Sequence, residues 1–201
     1  MSTLLTVSET LDSQLLRDRR VGTIELAVEA RKMISDKTTD LMFKVGDCAV
    51  YPSHGVALVK RIDAREIGGQ TKHFYVLQVV ESQMTIMVPV DNADSVGLRE
   101  IISDSEVLNV YKILKKRDVK IDQTTWNRRF REYSEKIKTG SVYEIAEVLR
   151  NLFLLRSSKD LSFGERKMLD QAKTLLVKEI SLARRAQEDA IEQEIQTIFA
   201  S

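Results

Sequence analysis

Cysteine is almost missing from this chain: Cys48 is the single one in 201 residues. That excludes disulfide frameworks, cysteine-based zinc sites and CxxC redox chemistry, and it fits a reducing cytoplasm. Long apolar runs are missing too. None exceeds four residues, so no stretch reads as a membrane span or a signal-peptide core. Catalytic vocabulary is equally thin, with no G-x-x-x-x-G-K-[ST], G-x-G-x-x-G, G-x-S-x-G or H-E-x-x-H pattern and only His54 and His73 as histidines. Cys48 and His54 stand close enough in sequence for a Cys–His nucleophile pair. A buried strand cysteine beside a turn histidine accounts for the same residues. The expectation is therefore no enzyme, no catalytic residues, no cofactor and no metal site.

Glycine and proline are scarce but concentrated. Pro52, Pro89, Gly46, Gly55, Gly68, Gly69 and Gly97 all fall between residues 46 and 97, whereas residues 98–139 contain neither type, nor does the chain after Gly164. Clustered turn formers predict short strands, and their absence favours long helices. Val56, Leu58, Ile62 and Ala64 alternate with Ala57, Val59, Arg61 and Asp63. A Gly68-Gly69 hairpin turn follows, and residues 73–80 read as the returning strand. Met84, Ile86 and Val88 alternate up to Pro89. With strands near residues 48–51 and 96–99, a small Tudor- or SH3-like β-barrel is expected for residues 41–100.

Residues 101–201 predict a compact all-α domain of four to five helices, which makes the fold class α+β. Ser103…Glu106, Ser141…Glu144 and Ser162…Glu165 each match the S-x-x-E capping box. Stripes at helical spacing follow: Leu108, Tyr111 and Leu114; Trp126, Phe130, Tyr133 and Ile137; Val142, Ile145, Leu149, Leu152 and Leu155; Met168, Ala172, Leu175 and Leu176; Ile191, Ile195 and Ile198. Residues 1–40 stand apart as a weakly helical or disordered N-terminal extension. Met42 directly precedes the first strand-like segment, so an upstream-extended start would also explain that extension.

Charge of one sign is not in excess, since 31 Lys+Arg oppose 30 Asp+Glu. The total nevertheless conceals a pattern. Residues 112–138 hold ten bases against four acids, and from Ala186 onward there are four acids and no base. Trp126, the only tryptophan, sits inside the basic run in Trp126-Asn127-Arg128-Arg129-Phe130-Arg131, behind Thr124 and Thr125 as candidate helix caps. An aromatic ring flanked by arginines suits stacking or wedging at an unpaired or distorted nucleic-acid step, with the arginines on phosphates. The same residues fit a second reading, in which Trp126 heads a core stripe and the bases form a solvated face.

The motifs together resemble a known family. Phe43-Lys44-Val45-Gly46-Asp47, Val50-Tyr51-Pro52-Ser53-His54-Gly55-Val56, Val88-Pro89-Val90 and Ser95-Val96-Gly97-Leu98-Arg99 resemble the opening domain of the CarD/CdnL family, a domain also found in the transcription-repair coupling factor. Trp126-Asn127-Arg128-Arg129-Phe130, Gly140, Ala146-Glu147-Val148-Leu149-Arg150 and Gly164-Glu165-Arg166-Lys167-Met168-Leu169 resemble the same family's helical domain. The resemblance spans about residues 42–185.

What the resemblance implies is a bacterial transcription-initiation factor, cytoplasmic and nucleoid-associated through RNA polymerase, monomeric, with no membrane contact. The Tudor-like domain would bind the polymerase β subunit, partly by pairing a sheet edge with a β-subunit strand. The helical domain would contact promoter DNA at the upstream fork of the transcription bubble and stabilise the open complex. The family's tryptophan maps onto Trp126 as a minor-groove wedge. Arg128, Arg129, Arg131 and Arg166 fall where family members contact the DNA backbone. Arg65, Ile67 and Met87 map to the polymerase interface, where Met87 replaces an arginine of well-known members. The alternative function is a protein-interaction adaptor without a DNA role.

Overall fold

In the computed structural model, residues 41–119 and 125–200 are described. Expectations for residues 1–40 and for the cap at Thr124 lie outside them. Five strands come first: β1 (Cys48–Tyr51), β2 (Gly55–Ile67), β3 (Gln70–Val79), β4 (Thr85–Pro89) and β5 (Arg99–Glu100). Five helices follow: α1 (Asp104–Lys115), α2 (Trp126–Lys138), α3 (Val142–Ser158), α4 (Phe163–Arg184) and α5 (Glu188–Ala200). The fold is α+β, with a small Tudor-like antiparallel sheet and an all-α part.

The strands run in the order β4-β3-β2-β1-β5, every neighbouring pair antiparallel. Gly68 and Gly69 both adopt positive φ, 61° and 75°, the combination that a tight two-residue hairpin turn requires. A register shift between Val59 and Arg61 adds local twist and helps the sheet curl. The closing strand is shorter and later than the one expected near residues 96–99. A 3₁₀ turn at Val90–Asn92 and tight backbone bonds through Leu98 occupy the intervening residues. Tyr75, Val59, Leu77 and Val79 lie fully buried in the sheet core, and the Tyr75 hydroxyl accepts the Phe43 backbone N–H at 3.3 Å.

The hairpin outruns its neighbours. β1 pairs no further along β2 than Leu58, and β4 ends opposite Phe74. Beyond these points Ala64–His73, Arg65–Lys72, Glu66–Thr71 and Ile67–Gln70 pair as a bare two-stranded arm.

All five helices pack into one core through Val107, Val110, Leu114, Tyr133, Ile137, Leu149, Leu152, Ala172, Leu176, Ile180, Ile191 and Ile195. Each fully buried leucine or isoleucine there contributes about 1.5–3 kcal/mol. Helix α1 is rotated from the expected phase. Leu108 is exposed, while Val107 and Val110 face the core beside Leu114. Capping boxes form at Ser103/Glu106 and Ser162/Glu165. None forms at Ser141, because the Glu144 carboxylate instead accepts the Thr139 hydroxyl. The acidic residues past Ala186 form no free tail. Glu188, Glu192 and Glu194 on α5 pair with Lys178, Lys173 and Arg184 on α4.

The sheet is fastened to the helices at one junction. Arg99 of β5 makes a bidentate ion pair with Glu179 of α4, at 2.5 and 2.9 Å, and donates to the Gly140 carbonyl at 2.8 and 3.1 Å. Glu179 is buried and also accepts the Ile102 backbone N–H. Pro52, in the β1–β2 turn, packs against Gly140 and Gly97. Gly140 follows the C-cap residue of α2, Thr139, so the C-terminal end of the tryptophan-bearing helix is gripped by the sheet.

Candidate nucleic-acid and polymerase interfaces

Trp126 is the first residue of α2, with Thr125 as its N-cap residue. The Thr125 side chain makes no capping hydrogen bond, and its carbonyl instead accepts the amides of Arg128 and Arg129. The indole is half-buried. It lies so close over Gly164 that a Cβ there would sit 3.0 Å from Nε1 and Cζ2. Its other neighbour is Phe130, edge-on with ring centroids 5.4 Å apart. Trp126 is thus neither wholly core nor wholly exposed: one flank packs on the helical core, and the rest of the ring remains open.

Phe130 departs from its expected core position and is exposed. The stripe reaches the core through Tyr133 and Ile137, while its first turn stays at the surface beside α4.

Arg129 lies apart from the other arginines of its run. It is 5% exposed, and its Nη2 donates to Glu165 Oε1 at 2.6 Å. A guanidinium enclosed in that way has its charge directed inward, so the expected outward face for Arg129 is not what the fold provides. Burial alone would raise the Glu165 carboxyl. The Ser162 amide and hydroxyl, the Lys159 ammonium and the Arg129 guanidinium outweigh it and hold the group at about 2. Glu165 therefore serves two helices at once. It closes the capping box of α4 and fastens α2 to that same first turn.

Arg128 and Arg131 are exposed on α2 at i,i+3 spacing, which puts them on one side of the helix. Arg166 and Lys167 are exposed on α4, immediately beyond the glycine that supports Trp126. Arg166 is steadied by donating Nη1 to the Leu161 carbonyl at 2.5 Å. Lys136 and Lys138, farther along the basic run, pair with Glu147 and Glu135 at 2.8 Å. Exposed positive charge thus lies around the N-terminal turns of α2 and α4, next to the indole, and also at the C-terminal end of α1 through Lys112, Lys115 and Lys116.

At the opposite part of the chain, the strand register gathers the three residues assigned to the polymerase side. Arg61 lies opposite Val76, and Val76 opposite Met87, so these share one face of the sheet. Arg65 and Ile67 follow Arg61 by even steps with no intervening bulge, which keeps them on that face. Ile67 is 48% exposed near the tip of the arm and Met87 36% exposed on the edge strand β4.

The Cys48/His54 pairing has little chemical support. Burial and the neighbouring Asp47 charge push the Cys48 thiol up, away from the thiolate that a nucleophile needs. His54 lies in the β1–β2 turn with its ring 5.6 Å from that of Tyr51.

Sequence reasoning missed Gly164, Glu165 and Glu179 as parts of these sites. The only local signal was the S-x-x-E box, which places Phe163 at the first position of α4 just as Trp126 stands at the first position of α2.

Comparison with known proteins draws both halves together. Residues 43–102 match the CarD-like/TRCF RID domain, and residues 109–196 match the CarD C-terminal domain. The chain is 31% identical over 144 residues to the Bacillus subtilis (strain 168) protein named "Putative transcription factor YdeB", covering 71% of this chain and 93% of that relative. Among solved structures, CdnLNt from Myxococcus xanthus is 53% identical with a TM-score of 0.27, covering 31% of this chain and 87% of that one. The 72-residue N-terminal domain of Myxococcus xanthus CarD is 36% identical with a TM-score of 0.27, covering 30% and 81%. No helix among the described residues is long and apolar enough to cross a membrane. With two family domains matched in order and a relative aligned over nearly its whole length, this chain belongs to the CarD-like family of transcription factors.

Proposed function

We propose that this chain acts in transcription initiation by binding the RNA polymerase β subunit through its sheet and stabilising the open promoter complex through its helices. The observation that carries the reading is Trp126: a half-exposed indole held in place by Gly164 and Phe130, with the exposed bases Arg128, Arg131, Arg166 and Lys167 around it.

A ring fixed in that way can occupy an unstacked step at the upstream edge of the bubble, and the bases attract the flanking phosphates. None of these groups reads base edges, so affinity would follow phosphate charge and DNA shape. Arg129 would act at one remove, by fixing α2 against α4. The bare arm and the β4 edge offer Arg65, Ile67 and Met87 on one face, and an open edge strand can take up a partner strand through its backbone groups. Tethering to polymerase raises the local DNA concentration, so a weak DNA contact suffices. This assigns the polymerase-binding role to residues 41–100 and the DNA-contacting role to residues 101–201.

The test is co-purification with RNA polymerase followed by open-complex kinetics. Capture through the β subunit and a longer open-complex lifetime in the protein's presence are expected. Absence of either removes the corresponding half of the reading. An adaptor without a DNA role would show no salt-sensitive binding to forked DNA.

A further inference from the structure

Two neighbouring residues of α4 hold the sheet at two separate places. Lys178 reaches Glu81, in the turn between β3 and β4, at 3.3 Å, and Glu179 takes the guanidinium of Arg99 on β5. One turn earlier, Leu175 lies so near the β1–β2 turn that a Cβ on Gly55 would come within 2.7 Å of its Cδ2. The Lys178–Glu81 pair has an exposed carboxylate and contributes little. The Arg99–Glu179 pair is different in kind. Glu179 is 3% exposed, and all three guanidinium nitrogens of Arg99 are engaged. Nη1 and Nη2 donate to the two carboxylate oxygens, Nη1 also to the Glu100 carbonyl at 2.9 Å, and Nε and Nη2 to the Gly140 carbonyl. A fork bound at both prongs fixes an angle as well as a distance.

We infer that Arg99 and Glu179 are positioning residues for open-complex stabilisation: they touch neither polymerase nor DNA, and they hold the two binding surfaces in the one arrangement that lets both be engaged together. The inference rests on the function proposed above and deepens it. β5 lies at the sheet edge opposite β4, the edge offered to polymerase. Glu179 lies about four turns along α4 from Gly164, roughly 22 Å from the seat of the indole. Because α4 runs unbroken from Phe163 to Arg184, that seat and the grip on the sheet belong to one rigid element. Tethering raises the local concentration of a second site only where the geometry allows both sites to be met at once. A loosened junction would keep each contact and lose their cooperation.

Arg99→Lys in the full chain tests this. Lysine keeps the charge but cannot span both carboxylate oxygens and the Gly140 carbonyl as the planar fork does. Pull-down of the β subunit, and the concentration at which forked DNA quenches Trp126 emission at low salt, are both expected to match the parent. With polymerase saturated, the open-complex lifetime is expected to fall about fivefold or more, the scale of losing the indole contact itself. The deciding readout is the cycle with Trp126→Ala. Once the indole is gone, Arg99→Lys should shorten the lifetime no further, whereas a merely structural role would add its own loss. If Arg99→Lys melts below the assay temperature, Arg99→Met/Glu179→Leu carries the same test, since apolar side chains of similar length keep the junction packed. A parental lifetime overturns the inference and leaves the Trp126 reading intact. So does an additive cycle, or a loss of capture or fork binding that accounts for the shorter lifetime. An unchanged lifetime in Trp126→Ala alone overturns both.

Discussion

Arg129 and Glu165 form a buried ion pair, 2.6 Å apart, that bolts the first turn of one helix to the first turn of another. The pair is surrounded by exposed groups of the proposed DNA face yet is itself nearly sealed from water, Glu165 being 1% exposed. Glu165→Gln keeps the side chain's shape but leaves a buried cation facing a neutral amide. Breaking one side of such a pair costs about 3–5 kcal/mol, and chemical denaturation should show a loss of that order. The folded carboxyl titrates near 2, below its ordinary unfolded value. Its stabilisation is therefore present in full above pH ~4.5 and disappears as pH falls toward 2. Stability measured across that interval should slope in the parent and be flatter in Glu165→Gln. Equal slopes would show that the carboxylate is not held as described.

Gly164→Ala tests the support beneath the indole. Alanine favours a helix over glycine by about 0.5–1 kcal/mol, but its methyl would lie 3.0 Å from two indole atoms. The half-exposed ring has room to move outward, so the melting temperature should change little. A shift of Trp126 emission toward longer wavelength is the expected sign. An unchanged spectrum would mean that the ring does not rest there.

Trp126→Ala should leave capture of RNA polymerase intact while shortening the open-complex lifetime about fivefold or more, the scale of one lost aromatic–base contact. Promoter-melting kinetics read this directly. Unaltered lifetimes would remove Trp126 from the bubble.

Arg65→Glu reverses a charge on an arm that has no neighbouring strand to support it. The fold should tolerate the change, and β-subunit pull-down should weaken at least several-fold, since an opposed like charge disfavours docking. Undiminished capture would take Arg65 out of the interface.

Local patterns in the sequence were legible where the deciding contact is local. The hairpin at Gly68-Gly69 and the Ser103 and Ser162 capping boxes depend on residues no more than a few positions apart, and all appear as read. The Ser141 box failed through an equally short competitor, the Thr139 hydroxyl, which engages Glu144 first. Helix phase was harder. Val107-Val110-Leu114 and Leu108-Tyr111-Leu114 are nearly equivalent stripes, and only the arrangement of the other helices selects the first. Arg129 looked like one base among ten because its partner is 36 residues away. A similar separation hid Gly164, whose part in seating the tryptophan exists only once α2 and α4 have met.

The junction at Arg99, Gly140 and Pro52 has a mechanical consequence. Helix α2, 13 residues long, is clamped to the sheet just past its C-terminal end, at Gly140, and carries Trp126 as its first residue. At 1.5 Å per residue the helix is a strut about 20 Å long. A tilt of ~10° at the clamped end would swing the indole by roughly 3.5 Å, about one base step along a strand. Under the proposed function, the angle at which the sheet is seated would set, through this strut, which step the ring meets.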